Sequence, residues 1–444
     1  MSRFRGIAGP RLATGLLGLL LAAGCGGIGD DAPPVYEPVA RLLVFADPHY
    51  FAPSLGIAGP AFEDRVARDR KLIAQSDAIL RAMVGLVEAE SPDIVLVPGD
   101  LTKDGERVSH EAAADYLRQM TAGGRRVFVV PGNHDIQNGN AESYAGDTVT
   151  PVASISAAEF ADIYRNLGYD QAIARDPGSL SYVAELVPGL WLLALDSCIY
   201  GDTPGSALTG GRLADGTKAW TRLWLDEARR RGCRVLAMMH HGLFEHFGSQ
   251  TLLFPEYVID ERDVVATLLG DGGARVVFTG HFHANDITQG QPGASASPIF
   301  DVETGATVTF PCPYRIVGLA SDVMTIATKH ITAIDYDLGG AADFPTLARD
   351  SLRVGLEGQI ADLIRQPPYG LSPDQATALA PWLGDGLLAH YAGDEVMPAD
   401  VLREVQGLLA STNAIEILAG AMLESIWTDL PPADNDVTLD LAPR

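Results

Sequence analysis

The stretch Val127-Phe128-Val129-Val130-Pro131-Gly132-Asn133-His134-Asp135 indicates how this chain folds. Its first half is an apolar run stopped by Pro-Gly, which is typical of a buried strand in a parallel sheet. The three residues that follow place an amide, an imidazole and a carboxylate at the carboxyl end of that strand. Open α/β sheets bind their ligands at this position.

Apolar strands and helical segments alternate on both sides of this stretch. Strands are predicted at 41–46, 93–97, 234–239 and 275–278, and helices at 64–90, 106–120, 156–167, 217–231 and 255–269. Such alternation indicates parallel strands joined by crossover helices. A hairpin at 181–195 and an antiparallel meander at 315–336 make the predicted sheet architecture mixed.

Polar side chains follow five of the predicted strands. They are Asp47, His49, Asp100, Asn133, His134, His240, His281 and His283. Residues i and i+2 of an extended chain share a face, so the Asp-x-His and His-x-His pairs can point at one ion cluster. Imidazole and carboxylate together select borderline divalent ions such as Mn, Fe or Zn. The number of donors suits two metals that share a carboxylate.

The order of these motifs resembles the calcineurin-like metallophosphoesterase superfamily. Its Asp-x-His, Gly-Asp, Gly-Asn-His-Asp, His and Gly-His-x-His blocks occur here in that order between residues 40 and 290. The resemblance implies an α/β fold, a four-layer α-β-β-α sandwich. It also implies one metal on Asp47, His49, Asp100 and His283, and a second on Asp100, Asn133, His240 and His281. The spacing leaves open whether His240 or His241 is the ligand.

The resemblance further implies metal-dependent hydrolysis of a phosphoester, with a metal-bridging hydroxide as nucleophile. His134 matches the catalytic histidine of the superfamily, which contacts the phosphate and assists the leaving group, and Asp135 is expected to orient it. The alternative is a surface binding protein that keeps the fold without catalysis. The histidines outside the motifs, His110, His246, His330 and His390, are expected to be structural, although His246 lies near enough in sequence to approach substrate.

The first 39 residues are predicted to form a leader and a tether. Basic residues precede an apolar run from Leu12 to Ala23, and Leu21-Ala22-Ala23-Gly24-Cys25 resembles a bacterial lipobox. The prediction is a lipoprotein signal at 1–25, a tether at 26–39 and lipid anchoring to the bacterial cell envelope through Cys25. Plain secretion, or a periplasmic location, is the alternative. The first motif also looks nearer to cell-envelope phosphoesterases than to eukaryotic Ser/Thr phosphatases.

The rest of the chain divides into a catalytic domain at 40–340, a C-terminal helical extension at 341–430 and a tail at 431–444. The extension is expected to form four helices that cap the domain, with a lid or a dimer surface as alternatives. The cysteines Cys198, Cys233 and Cys312 do not form a disulfide framework, although one pair remains open.

The net charge is -25, with 57 acidic against 32 basic residues. An acidic surface disfavours nucleic acid, because phosphate binding needs a footprint of lysine and arginine. The loops expected around the site (51–60, 137–152, 201–215, 242–254 and 284–297) show no basic cluster. They carry Gln137, Asn138, Asn140, Tyr144, Asn285 and Gln289 instead. The predicted substrate is therefore a small, compact phosphoester.

Overall fold

The computed structural model describes residues 39–442, except 68, 201–206, 294–296 and 367–368. The predicted signal at 1–25 lies outside the described residues, as does the tether up to residue 38. No helix in the described part of the chain is long and apolar enough to cross a membrane.

The strands run as follows in chain order: β1 (Val39–Val44), β2 (Ile94–Pro98), β3 (Arg126–Val130), β4 (Glu142–Ala145), β5 (Thr148–Pro151), β6 (Ala172–Arg175), β7 (Tyr182–Val187), β8 (Leu190–Ala194), β9 (Arg234–Met238), β10 (Val276–Thr279), β11 (Ile287–Gly290), β12 (Ile299–Glu303), β13 (Pro313–Ala320), β14 (Val323–His330) and β15 (Asp436–Asp440).

The α-helices are α1 (Pro60–Val66), α2 (Ser76–Glu90), α3 (Arg107–Gln119), α4 (Ala157–Ile163), α5 (Asp215–Arg230), α6 (Gln250–Leu253), α7 (Arg262–Asp271), α8 (Phe344–Arg365), α9 (Pro373–Ala392), α10 (Ala399–Leu409) and α11 (Ala414–Ile426).

Two sheets form the middle of the molecule. The first has the order β15-β14-β13-β1-β2-β3 and the second β11-β12-β10-β9-β8-β7-β6. Strands β1, β2 and β3 are parallel, and so are β8, β9, β10 and β12. Their near-continuous burial follows from apolar sequences such as Ile94-Val95-Leu96-Val97, because such strands are covered on both faces.

The layers agree with the predicted four-layer α-β-β-α sandwich. A main core combines β1 to β3 and β7 to β8 with apolar residues of α2 and α3. A second core packs α5 and α7 against the other sheet, with Leu225, Val265 and Leu269 facing Leu193 and Val277. The C-terminal helices form a third core of their own, which also includes Phe247 and Phe282 from the catalytic part.

The structure differs from the sequence prediction in several elements. The helix expected at 64–90 is interrupted, because α1 ends at Val66 and α2 begins at Ser76. The loop expected at 137–152 contains the β4–β5 hairpin, and the loop at 284–297 contains β11. Residues 331–336 are not a strand. β15, from the segment expected to be a tail, pairs with β14 instead.

All three cysteines of the described chain are free thiols. Cys198 and Cys233 are partly buried and Cys312 is buried. The structure therefore has no disulfide among these three cysteines.

Candidate metal centre

The predicted site residues all lie at the carboxyl ends of parallel strands. Asp47 and His49 follow β1, and Asp100 follows β2. Asn133 and His134 follow β3, His240 follows β9, and His281 and His283 follow β10. Because parallel strands end at a common edge of their sheet, the fold brings these loops together from both sheets.

Four of the residues form the first ligand group, which consists of Asp47, His49, Asp100 and His283. One donor atom from each lies within 4.8 Å of the others, and all four residues are buried. The Nε2 atoms of His49 and His283 are 3.1 Å apart, and His49 Nε2 is 3.4 Å from Asp100 Oδ2.

The second ligand group contains Asp100, His240 and His281, again with donor atoms within 4.8 Å of one another. His240 Nε2 lies 3.5 Å from Asp100 Oδ2 and 3.1 Å from Asn133 Oδ1. Asp100 therefore belongs to both groups. The resemblance implies the same residues, together with Asn133 in the second set.

The chemistry of both groups fits divalent cations. Burial, followed by Lys71, lowers the pKa of His49, and burial lowers the pKa of His283, so both rings are neutral and each can offer one nitrogen lone pair to an ion. Asp47 Oδ1 is buried without a hydrogen-bond partner among the described residues. Burial and the nearby Asp100 carboxylate raise the pKa of Asp47. A bound cation would relieve each of these unfavourable arrangements.

The hydrogen bonds of the histidine pair favour His240 over His241 as ligand. His240 Nδ1 lies 3.0 Å from the Pro98 carbonyl oxygen, so it carries the proton and leaves Nε2 to face the site. Both nitrogens of His241 are engaged elsewhere, Nδ1 with Ser197 Oγ at 2.7 Å and Nε2 with the Thr209 carbonyl at 3.0 Å.

The backbone of the site is strained. Five of the predicted ligands have φ between 36° and 81°, namely Asp47, His49, Asp100, His281 and His283. Non-glycine residues rarely adopt this conformation, and such strain concentrates at functional sites. The neighbouring loops also approach closely, since a Cβ on Gly132 would lie 2.1 Å from the amide nitrogen of Asp100.

His134 is the most accessible of the site imidazoles, with 26% of its side chain exposed. Its Nδ1 lies 2.9 Å from Asp104 Oδ1. Burial and Lys71 lower the pKa of His134, but the Asp100 and Asp104 carboxylates outweigh them and raise it above its ordinary value. The Nδ1 hydrogen bond leaves Nε2 for a substrate.

The expectation that Asp135 orients His134 is corrected by these contacts. The Asp135 carboxylate accepts hydrogen bonds from the amides of Leu101, Thr102 and Gly132 at 2.8 to 3.0 Å. Asp135 thus ties the loop after β3 to the loop after β2. Asp104 is the carboxylate that contacts the His134 ring.

Sequence reasoning missed Asp104, which lies in the predicted loop four residues after Asp100. It is buried, and it pairs with the ammonium of Lys103 and with Arg65 Nη2 at 3.4 Å. Asn138 Nδ2 donates to the same carboxylate at 3.3 Å. The sequence offers only a weak signal, an acidic residue soon after a strand-end motif.

A cavity of about 250 Å³ opens above the metal groups. Its walls include Asp100, Asn133, His134, His281 and His283, together with Arg65, Arg70, Lys71, Tyr257 and Gln359. The cavity therefore has a basic cluster, which comes from Arg65, Arg70 and Lys71 and not from the loops that were expected to surround the site. The interruption between α1 and α2 places Lys71 close enough to affect the pKa of both His49 and His134.

Two of the residues predicted to face substrate are engaged elsewhere. The Tyr144 side chain is buried against Phe51 and Phe62. Asn285 is buried and donates to Asn435 Oδ1 at 2.8 Å. His110 is structural as expected, with Nδ1 2.8 Å from the Tyr164 hydroxyl and Nε2 2.8 Å from the Asp135 carbonyl.

The C-terminal helices contribute to the cavity. Gln359 of α8 lines it, and the Tyr391 hydroxyl of α9 accepts a hydrogen bond from Arg70 Nη1 at 3.0 Å. Tyr391 also packs on Phe282, between the two histidines of the last motif. The helices thus cover the catalytic part and hold one cationic wall of the cavity.

The family model of the calcineurin-like phosphoesterases matches residues 40–285. This match spans more than half of the chain, and the chain belongs to that family. It is a metallophosphoesterase, a hydrolase of phosphoester bonds, and its family acts on small phosphoesters with a dinuclear centre of divalent metals.

Solved structures with a similar fold include a dimetal phosphatase from Danio rerio. It is 16% identical, with a TM-score of 0.46, over 66% of this chain and 96% of that chain. Another is purple acid phosphatase PPD1 from seeds of yellow lupin (Lupinus luteus), which is 13% identical, with a TM-score of 0.41, over 67% of this chain and 53% of that chain. No sequence among the curated proteins matches this chain.

Proposed function

We propose that this chain hydrolyses a small soluble phosphomonoester or phosphodiester, the latter class including cyclic nucleotides. The observation that supports the proposal is the arrangement of the site. Two buried ligand groups share Asp100 at the floor of a small cavity, and His134 and a cationic wall flank them.

The proposed ligands of one ion are Asp47, His49, Asp100 and His283. Those of the other are Asp100, Asn133, His240 and His281. Two divalent ions of Mn, Fe or Zn bound there would supply positive charge to the phosphoryl oxygens and acidify a bound water.

His134 is proposed to act on the substrate. Its Nδ1 proton is held by Asp104, so a proton on Nε2 is available to the leaving-group oxygen. The raised pKa of His134 favours the protonated ring that this role requires. Asp135 is proposed to act at a distance, by fixing the loops that carry Asp100 and His134.

Lys71 and Arg70 are proposed to attract the anionic substrate. Lys71 is largely buried in the wall, and its nearest acidic partner, Asp69, is 3.9 Å away. A basic patch of this size suits one compact anion. The cavity of about 250 Å³ lies at the small end of ligand pockets. A nucleic acid would need basic contacts along its length, which the net charge of -25 opposes.

We also propose that the protein is anchored in the bacterial cell envelope by lipid on Cys25. The support is the basic and apolar leader followed by Leu21-Ala22-Ala23-Gly24-Cys25. The polar segment between Cys25 and β1 would then serve as a tether for the catalytic domain.

The test is a panel of phosphoesters assayed after chelation and addition of Mn, with His134→Ala and Lys71→Met alongside the native protein. His134→Ala should keep its metal and lose turnover by roughly 10²-fold or more. Lys71→Met should raise KM more than it lowers kcat, because it removes charge that binds the substrate. Full metal content without turnover on any substrate would contradict the proposal and favour the surface binding protein.

A further inference from the structure

A second cluster of potential ligands lies outside the metal centre. It consists of Asp286, just before β11, His390 in the last turn of α9 and Glu395 in the loop that follows α9. His390 Nδ1 is 2.9 Å from Glu395 Oε1 and 3.6 Å from Asp286 Oδ2. Donor atoms of the three residues lie within 4.8 Å of one another, and all three residues are buried.

The cluster contains polar atoms without partners. Asp286 Oδ2, Glu395 Oε2 and His390 Nε2 are buried without a hydrogen bond to any described residue. The surroundings are apolar, because the His390 ring lies 5.0 Å from that of Phe247 and 5.9 Å from that of Phe282. An unsatisfied buried polar group destabilises the fold, and a charged one does so more strongly.

The charges around the cluster are unbalanced. Asp286 Oδ1 is 2.6 Å from His246 Nδ1, and the other nitrogen of His246 lies 3.3 Å from both Asp301 and Glu303. His246 is therefore already surrounded by three carboxylates and cannot also neutralise Glu395. Burial opposes protonation of His246, but Asp286 and the other carboxylates raise its pKa well above the ordinary value.

More acidic groups lie close by. Asp394, Asp429 and Asp434 form a group of their own on the loops next to Glu395. Burial, followed by the charge of Asp286, raises the pKa of Asp434 to about 9. Arg315 is the buried cation in this region, and its guanidinium donates to the carbonyl oxygens of Asp434, Asp286 and Glu303. The region therefore contains more buried carboxyl groups than buried cations among the described residues, and burial keeps some of them protonated.

We propose that Asp286, His390 and Glu395 bind a third divalent cation of the transition-metal type, such as Zn²⁺. One imidazole with two carboxylates is a donor set of borderline ions. Donor separations of 2.9 and 3.6 Å are close to those around an ion with bonds of about 2.0–2.2 Å. The ion would replace the hydrogen bond between His390 Nδ1 and Glu395 Oε1 and would give Asp286 Oδ2, which has no hydrogen-bond partner among the described residues, a positive partner.

The position of the cluster gives this ion a structural role. Asp286 belongs to the catalytic part and follows His283 by three residues, whereas His390 lies in the last turn of α9 and Glu395 in the loop after it. The ion would therefore fasten the C-terminal helices to the loop that leaves the metal centre. It touches no wall of the substrate cavity, so it is expected to affect stability more than the chemical step.

The experiment measures metal content by mass spectrometry after the full chain is stripped of metal, reloaded with Zn²⁺ and desalted. The native protein should hold about three ions per chain, two in the dinuclear centre and one in the cluster. Glu395→Gln and His390→Ala should each hold about two, with a lower thermal midpoint that rises less with added Zn²⁺ than that of the native protein. His330→Ala, which changes an exposed histidine, is the control and should match the native protein.

Asp100→Asn separates this proposal from the proposed function. It should lose ions from the dinuclear centre and keep the third, so its thermal midpoint should still rise with Zn²⁺. About two ions in the native protein, with no further loss in Glu395→Gln, would overturn the third site. The acidic side chains would then have to share protons instead. Recovery of the third position by Ca²⁺ but not by Zn²⁺ would also overturn the proposed ion type.

Discussion

Asp104→Asn tests whether this carboxylate positions His134. The substitution keeps the shape of the side chain but removes the charge that faces His134 Nδ1 at 2.9 Å. A hydrogen bond to a charged group contributes about 1.5–3 kcal/mol. If most of this hydrogen-bond energy stabilises the protonated His134 ring in the transition state, removing it lowers kcat by about 10- to 100-fold.

The assay compares kcat, KM and metal content of Asp104→Asn, His134→Ala and the double variant. If Asp104 acts through His134, the double variant should be no slower than His134→Ala alone. Both single variants should retain their metal, because neither residue belongs to a ligand group. Losses that multiply in the double variant would refute the reasoning, as would an Asp104→Asn variant with native kcat.

The fold needs its own control, because Asp104 also pairs with Lys103, and both side chains are almost fully buried. Breaking a buried pair from one side costs about 3–5 kcal/mol. Combining Asp104→Asn with Lys103→Met removes both charges and should restore stability without restoring kcat. Recovery of kcat in that variant would show that the original loss came from misfolding.

Three more substitutions test other parts of the argument. Asp100→Asn should lose more metal and activity than His49→Ala, because Asp100 belongs to both ligand groups; native metal content would contradict this. Burial raises the pKa of Glu106 to about 7, so the folded state holds a proton that the unfolded chain releases above about pH 4.3. The contribution of the Glu106 proton to the free energy of unfolding is fully present at low pH, and it is lost as the pH rises through 7. Glu106→Gln should therefore raise the free energy of unfolding at pH 8, by on the order of 3–4 kcal/mol, and not at pH 4. Cys25→Ser should release the protein from the membrane fraction, whereas unchanged mass and partitioning would leave plain secretion.

The ligand groups were predictable because their polar residues directly follow apolar strands in the sequence. A strand such as Phe128-Val129-Val130 can be recognised from its own residues, and its carboxyl end fixes where Asn133 and His134 lie. The C-terminal helices were predictable for a similar reason. Their apolar residues recur at helical spacing, and four helices are observed, at Phe344–Arg365, Pro373–Ala392, Ala399–Leu409 and Ala414–Ile426.

The cationic wall was not predictable from local pattern. Residues 64–90 have helical spacing throughout, yet the chain leaves the helix after Val66 and re-enters it at Ser76. Tertiary contacts account for the break, because the amide of Leu72 donates to the Val308 carbonyl and Arg70 reaches Tyr391. Interactions with residues more than two hundred positions away have no signature in the segment itself.

The boundary predicted after Gly339-Gly340 illustrates the same limit. A glycine pair followed by a change to helical pattern is typical of a linker between domains. In the fold, however, the chain beyond it supplies β15 to the edge of the first sheet, Tyr391 to Arg70 and the Asp434 carbonyl to the buried Arg315. The first sheet is therefore extended by β15 of the C-terminal tail, and the cationic wall is held by Tyr391 of the helical extension. Because Tyr391 holds Arg70 in the wall and Gln359 lines the cavity, the helical extension contributes residues to the substrate cavity as well as covering the catalytic part.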